Sequence, residues 1–175
     1  MTRANLLASV LYRSALTVKR LDPRSLRRKR DRERAVETLF MMQFLTGCLG
    51  MRQISDEQTE IILSVLEHTH HCDVSELAKP LRDAEAVTDL SPEYDDLLFR
   101  MHLILSDGLS AVMRKDGDSA WRCIAAFHNL PRAFLSLGDT GRISPQDAWE
   151  WSRSYLKLDK NRADSRAVGP FLFNS

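Results

Sequence analysis

The run Glu67-His68-Thr69-His70-His71-Cys72 is the densest set of metal-ligating side chains in the chain. On an α-helix, Glu67 and His71 stand four positions apart, as do His68 and Cys72, a spacing two ligands of one metal can use. No second pair follows at zinc-finger spacing, and the helix dipole alone favours histidines at a helix end. No metal and no cofactor is expected. Asp139-Thr140-Gly141 spells the triplet of aspartic proteases, whose chemistry needs two carboxylates sharing one proton. Here the triplet falls in the glycine-rich run Leu137-Gly138-Asp139-Thr140-Gly141 and reads as a turn between helices. Cys123 and His128 are five apart and point to different helix faces, so they make no nucleophile–base pair. Asp95-Asp96 and Asp116/Asp118 lack the calcium-loop pattern, and the seven glycines build no phosphate-cradling loop. No catalytic residue is assigned, and the chain is expected not to be an enzyme.

The elements that carry these residues read as helices. Leu7, Leu11 and Val18 recur at helical spacing, and Asp22-Pro23 ends that segment. A second helix is expected over residues 25–48, charged at its start and apolar at its end. Ser55 and Gln58 form a capping box for a third. Residues 73–90, acidic and interrupted by Pro80, predict one or two short turns. Ser91-Pro92-Glu93 opens a long helix with the stripe Tyr94, Leu97, Leu98, Met101, Ile104, Leu105, Leu109 and Val112. Asp118 or Ser119 is expected to cap the next, which bears Trp121, Ile124, Ala125, Phe127 and His128. Ser144-Pro145 opens the last, with Trp149, Trp151 and Tyr155. The expectation is an all-α, single-domain helical bundle of about six to eight helices over residues 1–158, with an irregular C-terminal arm over 159–175.

Three unpatterned cysteines suit a reducing cytoplasm, and no apolar run reaches the ~18 residues of a membrane span. Residues 1–21 lack acids, as transit peptides do. Arg13, Lys19 and Arg20 nevertheless stand where a signal peptide would have its cleavage site, so the first helix is expected to belong to the fold.

The formal net charge of +1 conceals segregation. Residues 1–50 carry 11 basic and 4 acidic side chains, residues 51–113 carry 4 and 13, and residues 114–175 carry 10 and 7. The densest basic block is Arg27, Arg28, Lys29, Arg30, Arg32 and Arg34, near the positive end of its helix. The plainest expectation is a solvated face that pairs with the acidic middle inside the fold. The sharper one is a phosphate-binding helix without base stacking, because no aromatic residue interrupts the block.

Phe127-His128-Asn129-Leu130-Pro131 has a plain structural account: Pro131 stops the helix, Asn129 takes a left-handed cap, and His128 sits at the negative helix end. With Ala126 before it, the string resembles the Ala-Asp-Ala-(Leu/Phe)-His-Asn-(Leu/Ile)-Pro signature of small helical bacterial proteins. Some of these are encoded beside secreted toxins as immunity proteins. Ala125 stands where that signature has its aspartate, and Trp149, Trp151 and Tyr155 resemble the aromatic segment that follows it. The resemblance covers residues 94–158 at most. It implies a cytoplasmic protein that binds another protein, a cognate toxin, by occluding it. The acidic residues Glu85, Asp89, Glu93, Asp95 and Asp96 are the expected contacts for a basic toxin. The alternative is a nucleic-acid-binding or regulatory protein using Arg27 to Arg34. No membrane partner is expected.

Overall fold

A computed structural model describes residues 1–20, 23–87, 91–135 and 143–156. The expected 159–175 arm, the Asp139-Thr140-Gly141 triplet and Asp89 lie outside the described residues. The fold is all-α, and among the described residues the only β features are two isolated bridges.

Among the described residues eight α-helices follow in order: α1 Arg3–Lys19, α2 Lys29–Leu49, α3 Asp56–Ser64, α4 Ser75–Asp83, α5 Pro92–Met113, α6 Gly117–Phe127, α7 Pro131–Leu135 and α8 Pro145–Leu156. A 3-10 turn, Ser25–Arg27, precedes α2, and a π-helical turn, Val65–Thr69, prolongs α3. The second helix therefore begins four residues later than expected: Arg28 is extended, with ψ 130°, and breaks it from the turn.

Helix α5 is central. It packs on α2 along one side and on α6 along another, while α1 packs on α2, α6 and α7, and α8 lies on α6 and α5. The stripes meet in one core, where Leu7, Leu11, Met42, Leu45, Met101, Ile104, Phe127 and Phe134 have no exposed surface. Closing these contacts is the main favourable term in folding. A Cβ at Gly108 would lie 3.2 Å from the Cys123 Cβ, so glycine lets α5 and α6 approach closely. Helices α2 and α5 run antiparallel: Gln43 Nε2 donates to Ser106 Oγ at 3.1 Å, while Gly50 lies beside Leu98.

Capping follows chemistry more than expectation. Ser55 and Gln58 close a reciprocal box at 3.1 and 2.9 Å. Helix α6 is capped by Asp116, which accepts from the Ser119 amide at 3.2 Å, and not by Asp118 or Ser119. Ser91 sits at the N-cap of α5 without a side-chain cap bond; Pro92, which has no amide to satisfy, follows it. Pro80 lies inside α4 rather than breaking it.

Arg3 closes the end of that helix. Its guanidinium is buried and donates to Leu81 O at 2.9 Å, Arg82 O at 2.9 Å, Ile54 O at 2.6 Å and Asp56 Oδ1 at 2.7 Å. The end carbonyls of α4, orphaned in any helix, thus receive donors from α1. Arg3 N also donates to Glu85 O at 2.9 Å, so the first residues are stitched to the chain on both sides of α3 and α4. The expectation that α1 belongs to the fold is met.

Candidate functional site

The acidic residues cluster at one end of the α2/α5 pair. Glu93 and Asp95 lie exposed on the first turn of α5, and Glu85 is exposed on the segment that bridges to Thr2. Asp96 is less free: it holds Arg100 at 2.8 Å, and that guanidinium stacks 4.3 Å over the Trp149 ring. Phe99 stands among them, 58 % exposed, one turn along the helix from Asp95. The sequence reading missed it because an apolar residue off the 3.6-residue stripe carries no signal beyond its absence from the core.

The basic block is not folded onto the acidic middle. Arg27, Arg28, Lys29, Arg30 and Arg34 are exposed, while Arg32 is half-buried and donates to the Leu26 and Arg27 carbonyls. Lys29 reaches Glu33 at 3.9 Å, within the block itself. Among the described residues the ion pair that joins residues 1–50 to the acidic middle is Arg3 with Asp56. The expected internal neutralisation is therefore corrected. The block leads into α2, which runs beside α5 with its acidic start at the far end, so antiparallel packing carries the two charges apart.

The Phe127-to-Pro131 string lies inside the fold. His128, Asn129, Leu130 and Pro131 are all buried, and so is Phe127. His128 has φ −62° and caps α6 in the right-handed region, and Asn129 is not left-handed; Pro131 starts α7 instead of simply ending α6. His128 Nδ1 lies 2.6 Å from Ala125 O, a geometry that places the ring proton there and leaves Nε2 to accept from Lys19 Nζ at 3.3 Å. Burial, with Lys19 and Arg132 nearby, holds the imidazole pKa below its usual value, so the ring is neutral. Lys19 also approaches the Tyr155 hydroxyl at 3.5 Å, and Trp121 donates to Lys19 O at 3.3 Å. These bonds join α1, α6 and α8. They build the fold, and Ala125, in place of the signature's aspartate, is fully buried and gives its carbonyl to His128.

The run begins inside the π turn and leaves the helix after Thr69, so its residues do not keep α-helical i, i+4 geometry. His68 is largely exposed beside Glu67, His70 packs against the Phe44 ring at 5.6 Å, and Cys72 turns to Met41 Sδ at 3.0 Å. His71 closes the turn with φ 57°. Among the described residues no three His, Cys, Asp or Glu side chains converge on a metal position. The three cysteines are unpaired; burial pushes the Cys48 and Cys123 thiols up to about 12. Cys123, on α6, is buried against Gly108 of α5.

A groove of about 420 Å³ runs between α1 and α4, lined by Leu6, Val10, Cys72, Leu77 and Pro80 among others. Among the described residues no helix is long and apolar enough to cross a membrane. No protein-family model, curated protein or solved structure matches the chain.

Proposed function

We propose that the chain is a non-enzymatic, cytoplasmic protein-binding protein whose acidic end occludes a basic surface on its partner, the role an immunity protein plays toward a cognate toxin. The observation that carries this is Phe99, an exposed aromatic side chain one turn along α5 from Asp95 and Asp96. Interfaces concentrate their energy in such aromatic anchors, and a charged rim steers encounter and rejects partners of the wrong sign. Neutralisation by occlusion needs no catalytic group. The resemblance around His128 supports the immunity role only through the fold, because those residues are buried at a helix junction.

The test is affinity capture from the source cell with the native chain, with Glu93→Lys/Asp95→Lys and with Phe99→Ala, followed by calorimetry on the basic protein recovered. Each variant should weaken binding tenfold or more, on the order of 1.4 kcal/mol. Unchanged affinity in both variants removes the proposal.

A further inference from the structure

The end of the molecule opposite the acidic cluster is assembled from residues far apart in sequence. From the Gln43–Ser106 contact, nine residues lead back along α2 to Arg34 and nine lead on past α5 to Lys115. Both paths advance about 13 Å in the same direction, because the helices are antiparallel. The turn after α1 closes the same end, with Pro23 packed against Gly117. Arg27, Arg28, Arg30, Arg34, Arg114 and Lys115 are exposed there. Asp116 forms an ion pair with this set, 3.8 Å from Arg114, while it also caps α6. Buried Asp107 attracts Arg114 too, and exposed Asp118 lies on the first turn of α6, so cations still outnumber acids at this end. Glu33 is engaged by Lys29.

Lys115 adds a separate observation. It stands at φ 62°, where Lys115 N donates to Val112 O at 3.0 Å and Asp116 N to Ala111 O at 2.9 Å. This is the closure in which glycine is the unstrained residue, yet a cation occupies it.

We propose that this end is a nucleic-acid-binding surface that grips the phosphate backbone of a duplex without reading its bases. Five of the six groups are guanidinium forks, whose paired donors match phosphate oxygens. The cations are spread over two helix ends, so they address several phosphates of a densely charged duplex rather than one free anion. A base-stacking platform is lacking among the described residues here: the indole of Trp121 is tied to Lys19 O and packs edge-on to Tyr155. Backbone contact without stacking favours a duplex over a single strand. The inference goes beyond the protein-binding role, since it uses the opposite end and another class of partner.

Fluorescence anisotropy of the full chain with a labelled mixed-sequence duplex tests it. Affinity should fall about 10²- to 10³-fold between roughly 50 and 200 mM salt and should not depend on base sequence. Arg30→Glu/Arg34→Glu should weaken binding at least tenfold, and Glu93→Lys/Asp95→Lys should not weaken it. Lys115→Gly is the discriminating variant: it should raise the melting temperature while lowering duplex affinity, which a purely structural lysine would not do. The proposal is overturned by absent binding at the lowest salt or by undiminished affinity in both Arg30→Glu/Arg34→Glu and Lys115→Gly. Equal competition by polyglutamate, or tighter binding to vesicles rich in phosphatidylserine, also overturns it. The Glu93→Lys/Asp95→Lys control keeps this result separate from the fate of the protein-binding role.

Discussion

Lys19 Nζ lies 3.3 Å from Nε2 of His128, so a lysine ammonium donates to a histidine that must stay unprotonated to receive it. A proton on that nitrogen would set two cations in contact, with Arg132 close by. Burial first, and these cations after it, hold the folded imidazole pKa below the ordinary value, whereas the unfolded chain takes up its proton near the usual ~6.5. The unfolded state binds more protons in that window, and stability falls as pH drops through it. Between pH 8 and pH 5 the urea midpoint of the native chain should fall relative to that of His128→Gln, in which the contributions of His70 and Asp107 remain. A profile identical in both would remove the assignment.

Arg3 and Asp56 form an ion pair whose members carry unequal weight. The arginine side chain is 4 % exposed and serves four acceptors; the aspartate is 96 % exposed. Arg3→Ala should cost about 3 kcal/mol or more, because three backbone carbonyls lose a charged donor. Asp56→Ala should cost under ~1 kcal/mol, as a solvated partner does. Denaturant unfolding of the two variants checks the ratio.

Asp107 is buried on α5, and its Oδ2 has no hydrogen-bond partner among the described residues. Burial raises its pKa to about 6, against the opposing pull of Arg114. Between the unfolded value near 4 and that folded value the native state binds more protons, so stability falls as pH rises through the window. Asp107→Asn should stabilise the fold by about 1–2 kcal/mol at neutral pH, with the gain shrinking toward pH 4. Thermal melts at several pH values would show it. A constant gain would mean that the charge is not the cause.

Gly117 opens α6 against the backbone of Pro23, and a Cβ there would overlap the Pro23 carbonyl oxygen. Gly117→Ala should destabilise by about 2 kcal/mol or more, since backbone is pushed rather than a flexible side chain. Gly47, with open space around its Cβ position in α2, should tolerate alanine and gain up to ~1 kcal/mol. Equal melting temperatures for the two variants would contradict the packing.

What the sequence disclosed were features written in local spacing. The Ser55–Gln58 box and the α5 stripe are of that kind, since each depends on residues within a few turns of one another. The burial of Arg3 was illegible because its acceptors lie 51 to 79 positions away. The π turn at Val65 was hidden because α and π turns share the same local apolar pattern. Asn129 was assigned a left-handed cap on type alone, but Pro131 starts α7 directly and no such cap is needed. At the acidic end, Glu93 and Asp95, expected as partner contacts from their charge, stand exposed on α5. The partnership of Lys115 with Arg27 to Arg34 was not visible, because it exists only once α2 and α5 lie antiparallel.

That antiparallel arrangement has an electrical consequence. Net charge sets how far a molecule drifts in a uniform field, and at +1 this one barely drifts. Separation of charge sets the torque it feels, and here the excess of exposed cations and the excess of exposed acids sit at opposite ends of α2 and α5. Near any charged surface the molecule turns before it touches, and its two ends arrive in a defined order.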